Sequence, residues 1–288
     1  MRASAQLAPR TTLLFGGDIM LCRYVGEMAR RKQDPTLPFR EIAGRMAAAD
    51  ITFANLESPF SDKGRPVFSG MVFKAEPEMV EGLKLAGIDV VSTANNHARD
   101  RDGYGIEYTL KLLADNGIAT TGTGATEEEA HTGAVLVRNG IRFGFLGYAQ
   151  DPNNGNHTDV EPRVCAMDIA RMRQDVASMR ARADFVVVSM HAGVEYWTKP
   201  HPLQKDFAKA AVEAGAKIVV GHHPHVVQPW ERIGEAVVFY SLGNLVFDQY
   251  ERKETRRGMV AEVTVVGTGI ADVTTQEVVM ADGITRLV

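Results

Sequence analysis

Short apolar runs alternating with amphipathic stretches decide what this chain can fold into. Apolar runs of roughly four to eight residues bounded by turn formers read as strands buried on both faces, with helices packed over them. The fold class is α/β. Strands are expected at Thr12–Phe15, Ile51–Ala54, Val90–Thr93, Ala134–Val137, Arg142–Tyr148, Phe185–Ser189, Lys217–Val220 and Ala236–Ser241. Helices are expected at Phe39–Ala49, Glu78–Ala86, Tyr104–Asn116, Asp168–Arg182 and Pro202–Ala214, several of them opened by Pro or closed by Gly. From Gly258 onward the pattern changes to alternating β-branched residues, Met259–Val266 and Ile270–Met280, a terminal hairpin that completes or flanks the sheets. No linker or repeat interrupts the chain, so a single domain over residues 1–288 is expected. Turn-rich loops lie at Asp62–Gly70 and Asp151–Pro162, the second long enough to serve as a lid or substrate loop.

Polar residues follow the strands in a consistent way. Thr12–Phe15 leads to Asp18, Ile51–Ala54 to Asn55-Leu56-Glu57, and Val90–Thr93 to Asn95-Asn96-His97. Phe185–Ser189 is followed by His191, Lys217–Val220 by His222-His223-Pro224-His225, and Ala236–Ser241 by Asn244. Ligands of α/β proteins bind beyond the carboxyl ends of strands, so residues far apart in sequence converge on one rim. Singly, each has a plainer reading: an Asp after a strand usually caps a helix, and Asn-His usually makes a turn. Only the set argues for metal.

Cysteine cannot supply the ligands, because only Cys22 and Cys165 occur, and Cys22 reads as a small packing residue. Histidine can, since three of the eight fall at 222, 223 and 225. Asp18 and Glu57 suit bridging positions, with Asn96, His191, His223 and His225 in terminal ones; such a mixed oxygen and nitrogen site activates water for hydrolysis. His97 is then free to act as general acid, with Asp100 orienting its ring; the plainer role for Asp100 is a helix cap. Arg23, Glu195, Tyr196 and Asn244 are candidates for contact with substrate, and His222 reads as a bystander. His131, His157 and His201 match no motif.

A net charge of -4 and a pI near 6.1 disfavour nucleic acid and anionic membranes as partners; the metal site, and not the charge, sets the expectation of a small-molecule or oligomeric anionic substrate. The run Leu13–Phe15 is too short for a signal-peptide core, and no stretch is apolar enough to span a membrane, so a cytoplasmic location is expected.

The phrases Gly17-Asp18-Ile19-Met20-Leu21, Ala54-Asn55-Leu56-Glu57-Ser58-Pro59, Asn95-Asn96-His97, His191-Ala192-Gly193-Val194-Glu195-Tyr196, Gly221-His222-His223-Pro224-His225 and Ser241-Leu242-Gly243-Asn244 form a combined signature. It resembles the CapA branch of the calcineurin-like metallophosphoesterases, the capsule or poly-γ-glutamate synthesis proteins. The resemblance implies a four-layer α-β-β-α sandwich with two mixed sheets, and one or two divalent ions such as Mn, Fe or Zn. It also implies hydrolysis of a phosphoester or a γ-glutamyl-type amide, or, alternatively, a non-catalytic accessory role in polymer synthesis or export that binds metal or polymer. Two positions depart from the superfamily pattern: Met20 stands where its Asp-x-His motif has histidine, and Glu57 where it usually has aspartate.

Overall fold

The computed structural model describes residues 9–63, 70–151 and 163–288. Most of the loop expected to act as a lid, His157 included, therefore lies outside the described residues, as do 64–69 of the earlier loop. In chain order the strands are β1 (Arg10–Ile19), β2 (Ile51–Leu56), β3 (Val90–Ser92), β4 (Ala119–Thr121), β5 (Thr123–Gly124), β6 (Ala134–Arg138), β7 (Ile141–Ala149) and β8 (Arg163–Val164). There follow β9 (Phe185–His191), β10 (Ile218–His222), β11 (Trp230–Ile233), β12 (Ala236–Phe239), β13 (Asn244–Val246), β14 (Arg257–Val266), β15 (Gly269–Ala281) and β16 (Ile284–Leu287). The α-helices are α1 (Arg23–Lys32), α2 (Ala43–Met46), α3 (Val80–Leu85), α4 (Asp102–Asp115), α5 (Glu127–Thr132), α6 (Ile169–Arg180) and α7 (Pro202–Ala214).

One sheet runs β16-β15-β14-β1-β2-β3-β4, with β13 laid parallel against the end of β1; the other runs β11-β12-β10-β9-β7-β6. Both are mixed. In the first, β1 to β4 are parallel and β14 to β16 antiparallel; in the second, β7, β9, β10 and β12 are parallel, with antiparallel strands at both edges.

The strand period of two explains the layering. Leu13 and Phe15 of β1 enter the core between the sheets, where they meet Val187 of β9 and Val220 of β10, while Leu14 faces the opposite side. On that outer side it joins Val25 of α1, Leu83 of α3 and Leu113 of α4. Val186 and Val188 of β9 likewise face outward, onto Met172 of α6 and Phe207 of α7. Helix, sheet, sheet and helix thus make the four layers, and the strands are apolar without alternation because both faces are covered.

The rim where the strands end is drawn tight at two glycines. A Cβ on Gly17 would lie 1.9 Å from the carbonyl oxygen of Gly243, and one on Gly221 would lie 1.9 Å from that of Tyr240. Only glycine lets these backbones approach so closely.

Several expected elements differ in detail. The helix expected at Phe39–Ala49 is a 3-10 turn, Leu37–Phe39, followed by the single turn α2. Pro38 opens that tight turn, and Leu37, Pro38 and Phe39 are all buried by it, with Phe39 against Gly82 of α3. The terminal hairpin gains a third strand, β16, and completes the first sheet by pairing β14 with β1. Asp168 caps α6, its Oδ1 accepting from Arg171 N at 2.7 Å. Asp100 does not cap α4, whose cap position is Arg101.

Candidate metal centre

The carboxyl ends of β1, β2, β3, β9 and β10 meet at one place. Asp18 is fixed by its own backbone, whose N–H donates to Gly243 O at 3.0 Å, and Glu57 by a bond from its N–H to Ile19 O at 2.8 Å. Both carboxylates are fully buried. Asp18 Oδ1 accepts from Asn55 Nδ2 at 2.7 Å, and Oδ2 accepts from the backbone N–H of His223 at 3.1 Å. Glu57 is different: neither of its carboxylate oxygens has a hydrogen-bond partner among the described residues. A buried anion without donors is costly, and a cation is the group that such a pair of oxygens fits.

The imidazoles stand around these carboxylates. His191 Nε2 lies 2.9 Å from Asn96 Oδ1, and its Nδ1 lies 3.2 Å from Asn55 Nδ2. His223 Nδ1 is 3.2 Å from His191 Nε2. His225 gives its Nδ1–H to Asn244 Oδ1 at 2.9 Å, which leaves Nε2 unprotonated and 3.6 Å from Glu57 Oε1. Potential ligand atoms of Asp18, Glu57 and His191 lie within 4.8 Å of one another, and so do those of Glu195, His223 and His225. The fit of these residues to divalent cations is therefore one of chemistry and of spacing.

His97 sits beside this group without joining it. Its Nδ1–H donates to Asp100 Oδ2 at 2.7 Å, Phe73 stacks on its ring at 3.9 Å, and Nε2 points towards Glu57 Oε1, 3.9 Å away. Asp100 also accepts from Phe73 N at 2.6 Å, so one carboxylate holds both rings.

The expected substrate contacts divide. Glu195 and Tyr196 are exposed at the rim, where Arg252 lies 4.7 Å over the Tyr196 ring. Arg23 keeps part of its side chain open while pairing with Asp248, and its guanidinium lies 5.5 Å over Phe73. Asn244 corrects the expectation. It is fully buried, with Oδ1 on His225 and Nδ2 on Gln249 Oε1 and Thr255 O, so it orients a histidine and has no free group to offer a substrate. His222 is no distant bystander either: it is fully buried, its Nδ1 is 3.4 Å from Asp18 Oδ1, and its ring lies 6.2 Å from Phe53. Sequence reasoning left Asn55 without a role, although it bridges Asp18 and His191.

Three of the eight non-glycine residues with positive φ among the described residues lie here. Tyr196, His223 and His225 have φ of 67°, 97° and 58°, a left-handed conformation that non-glycine residues adopt at a cost and that clusters at functional sites.

Comparison with known proteins identifies the family and the fold. The model of the family described as bacterial capsule synthesis protein PGA_cap matches residues 12–249. The chain belongs to this family. It is 32% identical over 252 residues to the capsule biosynthesis protein CapA of Bacillus anthracis, covering 83% of this chain and 60% of the relative. It is 33% identical over 239 residues to the PGA biosynthesis protein CapA of Bacillus subtilis, covering 82% and 63%. The chain thus spans somewhat under two thirds of the length of these relatives. A phosphatase of Mycoplasma pneumoniae shares the fold of this PGA_cap chain, with a TM-score of 0.60 and 12% identity over 95% of each chain. No helix among the described residues is long and apolar enough to cross a membrane.

Electrostatics favour the ligand form at Asp18 and at the imidazoles, and oppose it at Glu57. Burial pushes the Asp18 carboxyl up, but His222, His191 and His225 pull it down harder, to well below the usual carboxylate range. Burial, then Asp18 and Glu195, push Glu57 the other way, well above its ordinary value. Burial also lowers His191, with His223 adding, and lowers His225; burial and His225 bring His223 down to about 4. The imidazoles are therefore neutral at pH 7. The unfolded chain takes up these protons at the ordinary 6.5, the folded chain at His223 only near 4, so acidification through that window favours unfolding. His223 alone accounts for on the order of 3 kcal/mol. Glu57 opposes this, because its protonation relieves the folded state. Chemical denaturation of a metal-free Glu57→Gln variant at pH 7 and pH 4.5 isolates the histidines, and its stability is expected to fall at the lower pH.

Proposed function

We propose that this chain is a metal-dependent hydrolase acting on an anionic substrate of capsule or poly-γ-glutamate metabolism. The observation that carries the reading is Glu57, a fully buried carboxylate whose two oxygens have no hydrogen-bond partner among the described residues, next to Asp18 and three neutral imidazoles. One or two divalent cations held by Asp18, Glu57, Asn96, His191, His223 and His225 would supply Lewis acidity and a water made nucleophilic near neutral pH. Asn55 and Asn244 hold Asp18, His191 and His225 in register. His97 carries a proton on Nε2 to the leaving group, with Asp100 and Phe73 fixing the ring. Arg23 and Arg252 at the rim suit phosphate or carboxylate groups on the substrate. The bond cleaved is a phosphoester or a γ-glutamyl amide, and both would present such anions.

Met20 supports a second reading, because a centre lacking the superfamily's histidine suits an accessory protein that binds metal or polymer without turnover. Purified chain supplied with Mn2+ and assayed on a phosphomonoester, a phosphodiester and a γ-glutamyl peptide separates the two. Metal-dependent turnover of one class is expected. No turnover of any of the three, from protein that does bind metal, would replace the hydrolase by the accessory role.

A further inference from the structure

Met20 does not face the centre. Its side chain is fully buried in the outer core, and its Sδ accepts from Cys22 N at 3.3 Å. A different segment brings an extra ligand type to the same rim. After β9 the chain turns through Gly193, with φ of 118°, and Tyr196, with φ of 67°, and is fastened at several points. Tyr196 N donates to Pro224 O at 2.8 Å, Gly193 N to Gln150 Oε1 at 2.9 Å, and Trp197 N to Val194 O at 3.2 Å. Gln228 Nε2 holds the far side of the turn through Trp197 O at 2.7 Å. The contact with Pro224 ties this loop to the turn that presents His223 and His225, and it sets the Glu195 carboxylate within 4.8 Å of both rings' nitrogens.

We propose that Glu195 is a metal ligand, which with His223 and His225 forms an outer, solvent-facing cation position beside the buried position of Asp18, Glu57 and His191. The inference rests on the hydrolase reading's assignment of the centre to metal and adds a carboxylate that reading does not use. Glu195 is exposed, whereas Asp18, Glu57 and His191 are all buried. The outer cation therefore exchanges with solvent more readily, and the two positions differ in affinity. His225 connects them, its Nε2 lying 3.6 Å from Glu57 Oε1. A carboxylate at the outer position neutralises a cation there more completely than two imidazoles can. The Tyr196 N–Pro224 O hydrogen bond holds these three donors together and offsets the cost of the left-handed backbone at Tyr196, His223 and His225.

Calorimetric titration of the metal-free chain with Mn2+ tests this, followed by measurement of bound metal after gel filtration. Wild type is expected to bind in two classes. Glu195→Gln, a neutral substitution of near-identical shape at an exposed position, is expected to weaken the weaker class at least 10-fold and leave the tighter one unchanged. Its melting temperature without metal should match wild type, which excludes loss of the fold as the cause. If Glu195→Gln binds Mn2+ with both wild-type affinities, the assignment of Glu195 is overturned while the metal centre stands. If wild type binds no Mn2+ at all, the metal-dependent reading falls together with it.

Discussion

Asp18→Asn is expected to abolish high-affinity metal binding, and with it any metal-dependent turnover, while leaving a folded chain. The Asp18 carboxylate meets both halves of the centre. It lies 3.9 Å from His191 on the β9 side and 3.5 Å from His225 on the turn after β10, and it accepts the backbone N–H of His223. Its burial is complete, yet its charge is sustained by donors on both oxygens. Asparagine fills the same volume but removes the charge, and its amide brings a donor towards Asn55 Nδ2 or the His223 N–H, where an acceptor is needed. Loss of a group that merely orients a ligand costs roughly 10- to 100-fold in metal affinity, so loss of a buried anionic ligand costs more than about 100-fold. Mn2+ titration and bound-metal analysis after gel filtration read this directly. Retention of both classes of Mn2+ with unchanged affinity would mean that Asp18 is not a ligand.

The layout of the sheets was legible because strands covered on both faces must be apolar at every position, and runs such as Phe185–Ser189 have that character and are short. The rim was legible for the same reason: Asp18, Glu57, His97, His191 and His225 each interrupt or follow an apolar run. What stayed hidden depends on contacts between distant segments. Helix α1 (Arg23–Lys32) is not among the expected helices although it is amphipathic, because its apolar stripe is thin: it buries only Val25 and Ala29 and half of its residues are charged. Asn244 looks like a polar group at a strand end, and only the pairing of Asp18 with Asn244 across β1 and β13 shows that it is buried behind His225. Asn55 lies within β2 and resembles a turn former until His191 arrives from a strand more than a hundred residues later. Glu195 comes to His223 and His225 between turns at Gly193 and Tyr196, and the left-handed conformation of Tyr196 is one that its residue type does not announce. Burial and strand period are written locally, whereas the partners of a polar group are set by tertiary register.

His97→Ala is expected to lower kcat on the substrate class identified by the assay by about 10²- to 10⁴-fold, while metal content and affinity stay at wild-type levels. The separation follows from how the ring is held. Its Nδ1 is committed to Asp100 at 2.7 Å, and its face is covered by Phe73 at 3.9 Å, so only Nε2 is free to act. That nitrogen lies 3.9 Å from Glu57 Oε1, close enough to reach a group bound at the centre, and His97 has no place in either group of close-set ligand atoms. A ligand lost would remove metal; a proton donor lost leaves metal in place and slows the bond-breaking step. The size of the effect should depend on the leaving group. A substrate with a good leaving group, such as a nitrophenyl ester, needs little protonation and should lose less rate than one with an alkoxide or amine leaving group. Asp100→Asn should reproduce part of the loss, since the Phe73 N–H and the His97 Nδ1–H would then compete for a weaker acceptor. Equal losses for good and poor leaving groups in His97→Ala, with metal retained, would assign His97 to substrate positioning instead of proton transfer.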